Sequence, residues 1–210
     1  MARRITSNTF VTLDGVMQGP GGPDEDRDGG FTHGGWSVGY FDEGVGNAVD
    51  QWMNKISPNG DLLLGRKTYE IFANYWPSEQ IDEADRDIAN PLNAATKYVV
   101  SESLSSLSWG PNVLINGDVV GRLTEIKSGD GPDLQVHGSS VLLQTLLKHG
   151  LIDVMQVIIM PCVLGTGKTL FGDGIAPTGM KVVEIDTTHG GVVIARYEPG
   201  ETIPYGQMGF

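Results

Sequence analysis

Cysteine is nearly absent. Cys162 is the single one in 210 residues, which excludes an intrachain disulfide and any multi-cysteine zinc site and fits a reducing compartment. Lying in an apolar stretch with no His or base beside it in sequence, that thiol reads as core packing. Positive charge is also scarce: 14 Lys and Arg against 26 Asp and Glu give a formal charge of −12. Such a balance argues against nucleic acid, whose affinity depends on cations meeting phosphates. An anionic ligand must then be held by a local cluster of donors. No apolar run approaches the ~20 residues of a membrane span, and Met1-Ala2-Arg3-Arg4 leads into alternating residues instead of an apolar signal core. A cytoplasmic protein with no membrane attachment is expected. The four histidines, His33, His137, His149 and His189, lack metal-ligand spacing. No metal site is expected, and each His reads as a loop, cap or surface residue.

What is present is a hydrophobic content of 40% without long runs, enough for one substantial core, so residues 1–210 are expected to form a single domain. Residues 5–13 read as a strand with Asp14-Gly15 as its exit turn. Residues 18–35, rich in Gly, Pro and Asp, form a loop that cannot pack a core and whose composition permits motion. Residues 41–55 have helical spacing at Val45, Ala48, Val49, Trp52 and Met53 and stop at Ser57-Pro58-Asn59-Gly60. "DLLLG" is a buried strand, and residues 84–95 read as a helix broken by Pro91. Strands follow at 97–101, 113–115, 133–137 and 153–161. Helices are expected at 119–127 and over "VLLQTLLKHG", where Gly150 supplies a left-handed cap. Residues 182–197 read as a hairpin turning at "THGG", and 199–210 as a tail. Strands interleaved with helices and ending in a hairpin predict an α/β fold: a mostly parallel sheet with an antiparallel edge, covered on both faces.

Three strand ends place small residues and backbone donors where open α/β sheets bind ligands. In "LLLGRKTYE", Gly65 permits close backbone approach, and a helix starting at Arg66, Lys67 and Thr68 offers N–H groups, charge and a hydroxyl to an anion. In "KYVVSES", Ser101 ends a strand with its hydroxyl free. In "DLQVHGSSVLLQ", Gly138-Ser139-Ser140 opens a helix. Each alone is equally well a turn or a helix cap. Their order and spacing, with "TLDGVM" and "MPCVLGTGKTLF", resemble the dihydrofolate reductase-like fold, and more closely the reductase domain of riboflavin biosynthesis, over residues 4–198. The resemblance implies a three-layer architecture and NADPH as cofactor. It places phosphates on Gly65, Arg66, Lys67 and Thr68, the adenosine end by Ser101, and the pyrophosphate on Gly138, Ser139 and Ser140. It further implies a small-molecule substrate and a homodimer.

The substrate side is less defined. In dihydrofolate reductases an acidic residue on the helix before the Gly-Arg-x-Thr turn binds the pterin. Asp42, Glu43 and Asp50 lie on or near that helix here, with Asp50 closest in spacing, although a solvated helix face accounts for it equally. Asp14 in "TLDG" matches a position kept beside the nicotinamide in the riboflavin branch, or is a turn residue bonding its own backbone. These two are the candidate proton sources. Departures exist: Asp153-Val154 stands where the riboflavin enzymes have Asp-Glu, and no basic cluster for a ribose phosphate is recognisable. The expected activity is hydride transfer to a small heterocyclic or ribosylamino compound, such as 5-amino-6-(5-phosphoribosylamino)uracil. A pterin-type reductase and a non-catalytic NADPH-binding protein are the alternatives. A phosphohydrolase reading of "VLGTGKTLFG" fails, because Cys162 occupies the position of the first glycine of a phosphate loop and Gly172 to Pro177 leave no room for the helix that must follow. The string matches instead the P-x-x-L-G-x-G-x-x-L-F loop of the riboflavin-type reductases, with Lys168 at a variable, exposed position.

Overall fold

The alternation after Arg4 folds as strand β1 (Ile5–Thr12), and the apolar "DLLLG" as β2 (Asp61–Gly65). Between them α1 (Glu43–Gln51) is capped by Asp42, whose carboxylate accepts from Val45 N at 3.0 Å, and it continues as a wider turn over Trp52–Ile56. The computed structural model describes residues 2–209 except 57, 58, 80, 82, 174 and 176, and except the side chains of 55, 56 and 84. The expected stop at Ser57-Pro58 and the turn residue Gly174 therefore lie outside the described residues.

Helix α2 (Arg66–Tyr75) follows β2 directly, then α3 (Arg86–Ala94), β3 (Lys97–Val100) and β4 (Asn112–Ile115). Pro91 does not break α3: its carbonyl still accepts from Ala95 N at 3.0 Å, and burial of Ala89 and Leu92 holds the short helix through the one missing donor. The chain continues as α4 (Val119–Ser128), β5 (Leu134–Val136), α5 (Ser140–Lys148), β6 (Val154–Met160), β7 (Gly179–Thr187) and β8 (Val193–Glu201). Gly150 adopts φ +62°, the left-handed cap expected after α5. Strand β8 extends to Glu201, so the tail begins later than 199.

The eight strands form one sheet in the order β4-β3-β2-β5-β1-β6-β8-β7. The first six are parallel, whereas β8 pairs antiparallel with both β6 and β7. One face packs on α4 and α5 through Leu63, Val136, Leu123, Leu143 and Leu146. The other packs on α2 and α3 through Leu62, Leu64, Tyr69 and Leu92, and on α1 through Val45 and Ile158. Leu62, Leu63 and Leu64 are fully buried, each contributing about 1.5–3 kcal/mol of apolar burial. Among the described residues no helix is long and apolar enough to cross a membrane.

Two of the scarce cations serve the amino edge of the sheet. Arg3 is buried with Nη2 2.6 Å from Asp61 Oδ2. Lys97 lies over the Trp109 ring and donates to the carbonyls of Asn93 and Gly110 at 2.7 and 3.1 Å; burial draws its pKa down to about 8. At the opposite, carboxyl edge the parallel strands release Asp14, Gly65, Ser101, Gly138 and Pro161 side by side.

Candidate active site

Two glycine turns meet at this edge. Gly65 N donates to Gly138 O at 3.3 Å. A Cβ on Gly65 would fall 2.3 Å from Ser139 Oγ, and one on Gly138 2.9 Å from Thr68 Oγ1. Gly138 also has φ +148° and is joined to Ser139 by a cis peptide. Only glycines fit, so Gly65, Thr68, Gly138 and Ser139 form one cradle. Helices α2 and α5 both begin there, and neither carries a side-chain cap. Helices α1 and α4 are capped by Asp42 and Asp118, whereas α3 is uncapped as well, so what sets α2 and α5 apart is their contact through Gly65 and Gly138. The first N–H groups of a helix carry partial positive charge and need acceptors. Two uncapped starts in contact therefore suit a diphosphate, and the pyrophosphate of the cofactor implied by the sequence fits this cradle.

The flanking cations are already engaged. Arg66 Nη1 donates to both carboxylate oxygens of Glu70 at 2.9–3.0 Å. Lys67 Nζ lies 2.8 Å from Asp28 Oδ1 and 3.8 Å from Asp26 Oδ1. Lys168, expected to be a merely exposed variable position, instead bridges Asp26 Oδ2 at 2.7 Å and Asp28 Oδ2 at 2.8 Å. Lys168 and, after it, Lys67 hold the Asp28 carboxyl down to about 2. Residues 18–35, expected to contribute nothing to a core, bury Gln18, Asp26 and Phe31. Gln18 donates to the carbonyls of Asp26 and Asp28 at 3.2 and 3.0 Å and accepts from Lys168 N at 3.0 Å. Phe31 packs on Gly167, where a Cβ would come within 2.9 Å of its ring. The physical reason is that the loop does not pack on the sheet; it packs on a second glycine-bearing loop, where one aromatic and a few polar anchors suffice.

That second loop is the string that mimicked a phosphate-binding motif. Several of its amides are taken by its own chain: Gly165 N and Leu164 N donate to Asp14 at 2.7 and 3.3 Å, and Leu170 N donates to Gly15 O at 2.8 Å. Asp14 also accepts a 2.5 Å hydrogen bond from Thr12 Oγ1. Thr12 and then Gly165 lower the Asp14 pKa. An exposed carboxylate held ionised is a loop anchor, and this argues against Asp14 as a proton donor near neutrality. Asp50 is exposed on α1 and is not drawn into the cradle. Ser101 does follow β3 at the carboxyl edge, and its Oγ accepts from Ser103 N and Leu104 N at 3.3 and 3.1 Å, which leaves its O–H as a donor. It shapes the following turn. Ser140 is buried in the first turn of α5.

His137 lies in the link between β5 and α5, as a loop residue should, but it is more buried than its sequence reading allowed. It follows the last residue of β5 and directly precedes Gly138, with Trp52 and Phe72 packed edge-on at centroid distances of 5.0 and 5.5 Å. Some of the residue stays exposed, but Nε2 is sealed off without a hydrogen-bond partner among the described residues. Burial lowers its pKa to about 4. The signal available in the sequence was its place directly before the glycine turn.

Known proteins share this sequence family and this fold. The model of the RibD C-terminal domain family matches residues 3–194. The uncharacterized protein YyaP of Bacillus subtilis (strain 168) is 28% identical over 195 residues, covering 91% of this chain and 92% of its own. A putative riboflavin biosynthesis protein from Shewanella sp. PV-4 superposes with a TM-score of 0.63 at 18% identity, over 96% of this chain and 100% of its own. Dihydrofolate reductase from Enterococcus faecalis, solved with NADP(H), gives a TM-score of 0.55 at 13% identity over 96% and 100%. The likeness in fold is thus dihydrofolate reductase-like, and with its family match over nearly its whole length this chain belongs to the RibD C-terminal domain family.

Proposed function

We propose that this protein is an NADPH-dependent reductase of the riboflavin-biosynthesis type, acting on a C=N or C=O carbon of a small heterocyclic or ribosylamino substrate such as 5-amino-6-(5-phosphoribosylamino)uracil. The observation that carries this reading is the pair of uncapped helix starts joined through Gly65 N and Gly138 O. The cofactor, when bound, supplies the hydride. The chain's own residues do the rest: Thr68, Ser139 and the helix amides orient the diphosphate, and Arg66 and Lys67 meet the adenosine-side phosphate. Residues 18–35, tied down through Lys67 and Lys168, cover the site and exclude water. Asp14 keeps the 163–167 loop against the exit of β1. The substrate lies between the long loop and α1.

Thermal unfolding with NADPH, NADH and ATP side by side tests the cofactor, since a ligand of the native state at 100 times its Kd stabilises by about 2.7 kcal/mol. NADPH is expected to raise the Tm and ATP to leave it unchanged; stabilisation by ATP alone would refute the reading. Arg66→Ala is expected to weaken NADPH about tenfold and NADH far less, the loss of one charge-assisted contact to phosphate. Equal losses for both in titration calorimetry would remove the 2′-phosphate role. Turnover is checked by the decay of nicotinamide absorbance with dihydrofolate and with the ribosylamino-uracil.

A further inference from the structure

The cations beside the cradle are matched by carboxylates: Arg66 by Glu70, and Lys67 and Lys168 by Asp26 and Asp28. A phosphate arriving there finds no surplus positive charge and competes with a carboxylate for each cation. The four-membered cluster is not symmetric in what it can give up. Asp28 uses one oxygen for each lysine, at 2.8 Å in both cases. Asp26 is buried, holds Lys168 at 2.7 Å and stands 3.8 Å from Lys67, beyond hydrogen-bond reach. Without the Asp28 charge, Lys168 keeps Asp26 and Lys67 keeps no hydrogen-bonded carboxylate. Lys67 is the lysine that follows Arg66 in the first turn of α2, at the cradle.

We infer that Asp28 is a specificity-determining residue, whose carboxylate competes with the ribose 2′-phosphate of the cofactor for Lys67 and so reduces the preference for NADPH over NADH. This rests on the cofactor site proposed above. Asp28 lies outside the Gly-Arg-Lys-Thr turn, on the loop that covers it, so loop closure and phosphate selection draw on the same ammonium group. Screening limits the strength of the contest, because Asp28 is 48% exposed and Lys67 32%.

Dissociation constants of NADPH and NADH for the wild type, Asp28→Asn, Asp24→Asn, Lys67→Ala and Lys67→Ala/Asp28→Asn test it. Asp24 pairs with Arg27 on the same loop, so Asp24→Asn removes an equal charge without touching Lys67. Asp28→Asn is expected to bind NADPH about three- to fivefold more tightly, the range of an exposed ion pair, with NADH within about twofold. Asp24→Asn should change neither, and in the Lys67→Ala background Asp28→Asn should have no effect. Unchanged NADPH affinity in Asp28→Asn, equal gains for both cofactors, or equal gains in Asp24→Asn would overturn the inference while leaving the reductase reading intact. Failure of every protein to bind either cofactor would overturn both.

Discussion

Gly138→Ala is expected to lose cofactor binding below detection and to cost the fold about 2–4 kcal/mol, the sum of backbone strain and overpacking. At φ +148° an L-residue is strained wherever it has room, and here it has little, since the new methyl would lie 2.9 Å from Thr68 Oγ1. Thr68 cannot keep its hydroxyl there and must turn it away from the cradle. Nor can the Gly138 turn shift alone, because its carbonyl holds Gly65 N. The two helix starts are therefore expected to separate, and two amide clusters that no longer converge bind a diphosphate poorly. Gly150→Ala is the matched control. Its φ is +62° and a Cβ there meets nothing within 4 Å, so it should cost about 1 kcal/mol of strain and leave NADPH affinity unchanged. Calorimetric Tm and NADPH titration of the two variants give the answer; a Gly138→Ala protein that binds NADPH like the wild type would show that α2 and α5 do not form one site.

This cradle was legible in the sequence because each half is local. A strand end, a glycine and a helix start lie within a few residues of one another, and periodicity locates all three. The sheet and its hairpin were legible for the same reason. What stayed hidden depends on partners brought from far along the chain. Lys168 reaches Asp26 and Asp28 across 142 and 140 residues, so the acidic run "PDEDRD" read as a solvated loop and the lysine as variable. Asp14 finds Leu164 at a separation of 150 residues, and without that contact a turn and a proton source looked alike. Pro91 failed as a breaker because tertiary burial of Ala89 and Leu92 outweighs one lost hydrogen bond. Ser101 was placed at the right strand end, but the turn that uses its hydroxyl has no strong pattern in "SESLSS".

The burial of His137 was the largest feature the sequence did not show, and it contributes a pH dependence. Its ring is packed by Trp52 and Phe72 and its Nε2 is sealed from solvent, so the folded protein takes up the proton only near pKa 4, against 6.5 for the free group. Above 6.5 both folded and unfolded chains hold a neutral imidazole, and the group exerts no pH-dependent effect. As pH falls from 6.5 toward 4 the unfolded chain binds a proton that the folded one refuses, so stability declines; below 4 both are protonated and the loss is complete, at most about 3 kcal/mol. Asp28, held down to about 2, loses its own contribution only in more acidic solution, between its free value of 3.8 and 2. Glu25 acts in the opposite sense, because burial raises its pKa and the folded state gains its proton first. A raw stability curve mixes these, whereas a comparison with His137→Phe isolates one. Phenylalanine keeps the aromatic contacts with Trp52 and Phe72 and removes the titration. Urea midpoints of the two proteins are expected to differ by a constant above pH ~7 and to shift in favour of the variant between pH ~6.5 and ~4.5. Parallel decline of the two would mean that the imidazole reaches solvent and can charge. The neutral ring also bears on the site, since at physiological pH it places no positive charge beside Gly138, and under the proposed function the phosphate would be left to the amides of α5.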